Sequence, residues 1–531
     1  MLKAVAFYPE YFPDEMEENI KKIIDGGIST IRFGEFAWGV LEPEEGRFDF
    51  SIFDKAFALT EKAGISIILC TPTACPPAWL AQNHPEILPV NGRGQAIRFG
   101  ARQHRCYNSP AMRGYTEKIV SRLADRYGKA VNLIGWQIDN ELAAEHKYCF
   151  CPACTEKFHA YLRDRYRTVE NLNREWFSTF WAQNYSSFEQ IPLPYKIDAY
   201  LPMRLHPSLL YEFLRFSSES VVDFASAQAD IIRKYSDKPV TTNQDDFYYG
   251  DNIDWYELFG KLDIAAFDIY TQRLYEIAFY CDLARSLKGG SFWQLEFPCD
   301  SPVLAAVMDN SREAGCGLFG LFKFNPFPAG QEEGTSAMLD IFGNPGRNYP
   351  VFRDWTGNGT DRRLKGHASL LYDFTSSWMI NSMNCHSWEE GLPHIFSRLV
   401  YKDCLIHTVY KCLFDMDYRV GFVTDENAGR IDSDETAVLI VPMHIAYSYG
   451  LSGRLLEFME NGGHILATTD LFMKNLYNAY NREIPDFYRR IGLGNYAAHG
   501  QVIKFKKGGI RFLDPKTDYQ GWKDAILDVD L

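Results

Sequence analysis

Short apolar runs rich in β-branched and aromatic residues alternate with amphipathic helical stretches through the first two-thirds of the chain. That alternation constrains the fold more than any other feature. Strand-like runs lie at 4–12, 30–38, 66–73, 133–141, 239–244, 264–271, 291–297 and 317–324, and helical patterns at 15–25, 53–63, 115–127, 217–235, 274–287 and 302–314. Several of the helical stretches close on glycine, as in Ala63-Gly and Lys288-Gly-Gly, the usual stop signal. Eight strands alternating with helices over roughly 330 residues predict a closed parallel (β/α)₈ TIM barrel rather than an open sheet. The stretch 142–238 is too long for one crossover, so it carries an insertion, which opens with a cysteine cluster.

After about residue 370 the rhythm changes. Strand patterns at 419–424, 437–442 and 464–468, with helices at 393–404 and 452–460, predict a second, smaller α/β domain. Its run Thr436-Ala-Val-Leu-Ile-Val-Pro is apolar throughout, as a strand covered on both sheet faces should be. It shows no nucleophile elbow or phosphate loop, which favours an oligomerisation or scaffolding role. The expected division is therefore a barrel at 1–370 with a cysteine-bearing insertion at about 142–200, an α/β domain at 371–500, and a short β-like segment at 501–531.

Composition narrows the function classes. A formal charge of −14 argues against a nucleic-acid partner, because no basic face is implied to neutralise phosphates. No run of about 18 apolar residues occurs, so no membrane-spanning helix is expected. The N-terminus enters a strand pattern directly without a signal-peptide profile, and a cytoplasmic location is expected. Aromatic residues reach 15%. Large cores account for that figure as readily as a sugar-stacking cleft does.

The carboxylates carry the chemical reading. Glu141 ends Leu133-Ile-Gly-Trp-Gln-Ile-Asp-Asn-Glu, and Glu296 ends Ser291-Phe-Trp-Gln-Leu-Glu. These are strands 4 and 7, which face each other across a barrel mouth, where catalytic residues of this fold sit. Glycoside hydrolysis needs two carboxyl groups flanking one bond. A single acidic strand end could simply cap a helix or pair with an arginine; two on opposing strands point to catalysis. Asn140 can donate to a sugar 2-hydroxyl, so Glu141 is assigned the acid/base role and Glu296 the nucleophile. Cys149, Cys151 and Cys154 stand within six residues, and Cys106 precedes them. Four thiolates suit a closed, structural zinc site; the alternative is a set of buried or reactive cysteines.

These residues together resemble glycoside hydrolase family 42, the β-galactosidase family of the clan A barrels. The resemblance rests on Arg32-Phe-Gly-Glu-Phe-Ala-Trp, Leu41-Glu-Pro-Glu-Glu-Gly-Arg-Phe, Gly135-Trp-Gln-Ile-Asp-Asn-Glu, the cysteine cluster, Thr179-Phe-Trp-Ala-Gln-Asn-Tyr and Pro328-Ala-Gly-Gln-Glu. It implies the same two catalytic glutamates, zinc on the four cysteines, and sugar contacts from Arg32, Arg102, Asn140, Tyr270 and Glu332. For the two arginines, an internal ion pair with a barrel carboxylate such as Glu35 is the competing role. The second domain resembles that family's amidotransferase-like trimerisation domain, so a homotrimer is implied. Three departures concern sugar recognition. Glu296 leads directly into Phe-Pro-Cys-Asp-Ser-Pro, Phe324-Asn325 replaces a Trp-Arg, and Thr335 stands where a Glu-x-x-His motif has its histidine.

The resulting expectation is a retaining exo-β-glycosidase acting on small glycosides or oligosaccharides, with a structural zinc and no catalytic cofactor. β-Galactosidase is the first activity. A sister β-glycosidase (glucosidase, mannosidase, xylosidase or arabinopyranosidase) or a transglycosylase is the second. A non-catalytic sugar-binding protein is the alternative from another class.

Overall fold

All eight expected barrel strands form, each shorter than its apolar run. The computed structural model describes residues 1–194, 205–245, 252–357, 366–383, 400–424, 436 and 438–529. The barrel strands are β1 (Leu2–Ala6), β2 (Thr30–Phe33), β3 (Ser66–Cys70), β4 (Leu133–Gln137), β5 in two pieces (Val240–Thr241 and Gln244–Asp245), β6 (Ala266–Asp268), β7 (Phe292–Glu296) and β8 (Cys316–Leu321). Every pairing is parallel, with Ala4 opposite Thr30, Leu2 opposite Leu318 and Trp136 opposite Val240. The sheet begins at one piece of β5 and ends at the other. Both edges therefore belong to a single strand interrupted at Thr242-Asn243, and the ring closes.

The barrel interior is packed by Ala4, Ile68, Ala266, Leu295 and Leu318, with Trp293 against them. Close strand approach depends on small residues. A β-carbon on Gly320 would stand 2.3 Å from the Leu295 carbonyl oxygen, and one on Gly135 would stand 2.6 Å from the Trp293 ring. Outside the ring, the helices Ser51–Ala63 and Leu274–Lys288 end on Gly64 (φ 71°) and Gly289 (φ 68°). Both glycines take the left-handed conformation that a β-carbon disfavours.

The chain forms two compact units, Met1–Cys154 with Ser217–Asp361, and Thr155–Phe216 with Arg362–Leu531. The insertion thus divides. Its cysteine end stays with the barrel, while the helices Pro152–Tyr166 and Val169–Trp176 group largely with the second unit. Specific contacts explain this. Arg165 donates to the Leu476 carbonyl at 2.5 Å, Asn475 to Glu175 at 3.5 Å, and the rings of Tyr166 and Tyr477 lie 5.1 Å apart. Buried Glu212 accepts from Tyr161, Arg165 and Tyr166 at 2.5, 2.8 and 2.6 Å.

The second sheet contains β9 (Gly366–Leu371), β10 (Tyr418–Val423), β11 (Val438–Val441), β12 (His464–Thr468), β13 (Val502–Phe505) and β14 (Gly508–Leu513). Their spatial order is β10-β9-β11-β12-β14-β13, parallel except for the terminal hairpin. Strand β9 was not anticipated, and it starts before the expected boundary at 370. The segment after 500 is not a separate appendage, since β14 pairs with β12 from His464 opposite Gly509 to Thr468 opposite Leu513. Residues Val438–Val441 are all buried, as their unbroken apolarity predicts. The helix expected at 452–460 forms as Tyr449–Glu460. The one at 393–404 lies outside the described residues up to 399; the chain beyond it runs through the helices Val400–Asp403 and Cys404–Tyr410.

Two glycine substitutions test the packing. Gly320→Ala forces β8 away from the backbone of β7 and should destabilise the barrel by about 1–3 kcal/mol, as overpacking does. Gly453→Ala, on a helix with nothing within 4 Å of the new β-carbon, should instead gain roughly 0.5–1 kcal/mol. Urea unfolding monitored by far-UV circular dichroism should separate the two in opposite directions.

Candidate active site

Strand β4 ends at Gln137, and the next residues turn sharply. Asp139 (φ 57°), Glu141 (φ 42°) and Ala143 (φ 61°) all adopt left-handed backbone, which is costly for residues with a β-carbon. Buried hydrogen bonds hold the turn. Arg105 donates to Asp139 Oδ1 at 2.6 Å and Thr73 to Asp139 Oδ2 at 2.5 Å, while Asp139 Oδ1 also accepts from the Asn140 amide at 2.8 Å. Gln103 donates to the carbonyls of Asn140 and Glu141 at 2.9 and 2.7 Å. The Tyr107 hydroxyl accepts from the Ala143 amide at 2.8 Å. The turn pushes Glu141, 7% exposed, into the barrel mouth.

Across the mouth, Glu296 is the last residue of β7. Its Oε1 accepts from Arg32 Nη2 at 2.5 Å and its Oε2 accepts from the Tyr270 hydroxyl. Arg32 also donates to Gln137 Oε1 at 2.9 Å and pairs with Glu35 at 3.0 Å, and Tyr8 donates to Glu35 at 2.8 Å. Arg32 thus joins Glu296 to Glu35, and its guanidinium is engaged by protein groups. Carboxylate oxygens of Glu141 and Glu296 lie within 4.8 Å of each other.

The sequence reading missed a third carboxyl group in this cluster. Asp268, at the end of β6 and fully buried, lies within the same 4.8 Å of both glutamates. Burial first, then the charges of Glu296 and Glu141, hold its carboxyl well above the usual carboxylate range. It meets Asn243, in the break of β5. The Asn243 side-chain amide donates to Asp268 Oδ2 at 2.6 Å and to Asn140 Oδ1 at 2.8 Å, while its oxygen accepts from Gln137 at 2.8 Å and from the Glu141 backbone amide at 3.1 Å. Every hydrogen-bonding position of that amide group is used.

The structure brings the other expected residues to the same mouth. Arg102 pairs with Glu141 at 2.9 Å and with Glu145 at 3.0 Å, and Asn140 donates to Glu141 Oε2 at 3.2 Å. Burial, with Glu296 next, keeps the Tyr270 phenol protonated far into the alkaline range. Glu332 follows β8, and burial raises its carboxyl above its ordinary value while Arg102 opposes the rise. Thr335 is not idle: Lys323 donates to its hydroxyl at 2.5 Å, and that hydroxyl donates to the Glu332 carbonyl at 2.7 Å. Lys323 was not anticipated. Its ammonium lies 3.4 Å from the centroid of the Phe327 ring, a cation–π contact.

The four cysteines converge on one another. Their sulfurs all lie within 4.8 Å of one another, and Cys106 stands 3.5 Å from Cys151 and 3.4 Å from Cys154. These separations are far beyond a disulfide bond of about 2.05 Å and match sulfurs arranged about one tetrahedral ion. Three N–H groups point at the sulfurs: Val90 to Cys149, Asn108 backbone to Cys106 and Asn108 side chain to Cys154, each at 3.4 Å. Such donors stabilise thiolates, as expected of the groups around a metal-thiolate shell.

The sequence profile of glycoside hydrolase family 42, described as β-galactosidase, matches residues 6–319. A β-galactosidase of Clostridium cellulovorans is 30% identical over 506 residues, covering 89% of this chain and 73% of that protein. One from Thermus thermophilus is 36% identical over 413 residues, covering 71% of this chain and 63% of that protein. Among solved structures, the polyextremophilic β-galactosidase of the Antarctic haloarchaeon Halorubrum lacusprofundi superposes with a TM-score of 0.87 at 25% identity, covering 100% of this chain and 89% of that one. No described helix is long and apolar enough to cross a membrane.

The pair Arg105–Asp139 is fully buried on both sides. Arg105→Leu should leave the Asp139 charge uncompensated and cost about 3–5 kcal/mol, read as a lowered denaturation midpoint. A loss under about 1 kcal/mol would show that other contacts hold the Glu141 turn.

Proposed function

The chain belongs to glycoside hydrolase family 42, and from that premise we propose that it is a retaining exo-β-glycosidase, with β-galactosides as its first substrates. The observation that carries the mechanism is the approach of Glu141 and Glu296 to within 4.8 Å. Retaining enzymes hold their carboxyl groups about 5–5.5 Å apart, whereas inverting enzymes need about 6.5–9.5 Å to admit a water.

Roles follow from the partners. Glu296 is held at both oxygens, by Arg32 and by Tyr270. That arrangement aims it, as a nucleophile must be aimed. Its attack on the anomeric carbon forms the glycosyl-enzyme ester and releases the aglycone oxygen, which takes a proton from Glu141. Glu141 then removes a proton from the incoming water as the ester is hydrolysed. Arg102 pairs with Glu141 in the free site, so the acid form requires that pair to loosen when the glycone enters. Asn140 stands beside Glu141 to donate to the sugar 2-hydroxyl. Glu332 and the Lys323–Thr335 pair mark the side where the remaining hydroxyls would be read. The threonine there is the observation that favours the second reading, a sister β-glycosidase.

We further propose structural zinc on Cys106, Cys149, Cys151 and Cys154, and no catalytic cofactor. A trimeric, cytoplasmic enzyme with the second unit as its assembly domain completes the reading, supported by the family resemblance alone.

Glu296→Ala should lower kcat by about 10³-fold or more, equal to roughly 4 kcal/mol of barrier, with azide restoring turnover as an inverted glycosyl azide. Glu141→Ala should spare nitrophenyl glycosides, whose leaving group needs little protonation. Near-normal turnover by Glu296→Ala without azide would overturn the assignment. A panel of nitrophenyl β-glycosides ranks the glycone.

Metal analysis of protein purified under reducing conditions should give about one zinc per chain, since a closed thiolate shell exchanges slowly. Cys151→Ser should lower zinc content and thermal stability more than the kcat of the folded fraction. Absence of zinc from active wild-type protein would eliminate this site.

A further inference from the structure

Three carboxyl groups cannot all ionise within 4.8 Å of one another in a buried site without matching cations. Arg32 and Arg102 reach Glu296 and Glu141; among the described residues no cation forms an ion pair with Asp268. Asp268 accepts from Asn243 through Oδ2, and its Oδ1 is buried with no hydrogen-bond partner among the described residues. A proton on Oδ1 removes the third charge and leaves the Oδ2 bond intact.

We propose that Asp268 is a positioning residue that acts as a neutral acid, fixing Asn243 and through it the 2-hydroxyl contact of Asn140 and the main chain of Glu141. This rests on the reading of Glu141 and Glu296 as the catalytic pair. The chain of contacts is continuous: Asp268 Oδ2 orients the Asn243 amide, whose second N–H holds Asn140 Oδ1 and whose oxygen receives the Glu141 amide. Holding Asn140 by its oxygen fixes its N–H₂ group toward the sugar side. Without Asp268 the Asn243 amide loses the bond that orients it, so Asn140 and the Glu141 main chain lose their anchor while the side-chain partners of Glu141 and Glu296, Arg102 and Arg32 with Tyr270, stay in place.

The charged and titratable groups facing Asp268 are Glu296 from β7, Glu141 from beyond β4, Arg32 from β2 and Tyr270 from its own strand end. Asp268→Asn and Asp268→Ala separate charge from geometry. An asparagine keeps an acceptor for Asn243 and carries no charge. It should retain kcat/KM within about 5-fold, with both limbs of the pH profile within about 0.3 unit of wild type. Alanine should lower kcat about 10- to 100-fold on the preferred β-glycoside, yet less than about 3-fold on its 2-deoxy analogue, because the 2-hydroxyl contact carries most of the loss.

A shift of either pH limb by one unit or more in Asp268→Asn would show an ionised Asp268 and overturn the proposal. Equal losses on the two substrates in Asp268→Ala would also overturn it, by showing a general structural role. If the alanine variant does not fold, the asparagine profile still decides. These outcomes are measured relative to wild type. Failure of the catalytic-pair reading shows separately, as undiminished turnover by Glu296→Ala.

Discussion

Arg32 is the point on which the barrel mouth depends. Its guanidinium, 1% exposed, contacts Gln137 on β4, Glu35 beyond β2 and Glu296 on β7. A buried carboxylate is tolerable only when paired and hydrogen-bonded. One rigid cation with several donors satisfies two of them at once, which an ammonium could not do with the same geometry. Ties from β2 to β4 and β7 also oppose movement of those strand ends, so the position of the Glu296 carboxylate is set by the same contacts that make its burial possible.

Much of this was legible in the chain. Apolar runs interrupted at regular intervals fix the strand count, and Glu141 and Glu296 stood out because each ends such a run on an opposing strand. Asp268 did not, since Ala-Phe-Asp-Ile-Tyr reads as an ordinary strand edge and its meaning comes from neighbours on β4, β5 and β7. Asn243 was hidden in the polar stretch Thr-Thr-Asn-Gln-Asp-Asp, whose break in β5 is invisible to a period-two pattern. The helical insertion could be seen as extra chain, but its attachment to residues near 476 depends on contacts over some three hundred positions. Strand β9 was missed because Gly366-His-Ala-Ser-Leu-Leu carries only a short apolar core.

The departures from the family pattern have a common physical theme. Where a histidine is absent, Thr335 and Lys323 form a hydrogen-bonded pair, and Lys323 lies against Phe327. Burial lowers the Lys323 ammonium from its ordinary value, and Glu332 opposes that change. In place of a planar ring, this stretch carries a buried ammonium held between a hydroxyl and an aromatic face.

The division of the insertion has a consequence for the order of assembly. Residues 155–216 leave the ribosome long before residues 362–531, the remainder of their compact unit. The barrel is likewise discontinuous, and its later strands follow the insertion. During synthesis the nascent chain therefore carries a helical segment whose companion surface does not yet exist, while the barrel is still incomplete. A fragment cut near residue 361 would perpetuate that intermediate. It would contain every barrel strand, yet leave Tyr166 and Arg165 without Tyr477 and the Leu476 carbonyl. Vectorial synthesis thus makes the last third of the chain a requirement for shielding a segment in its middle.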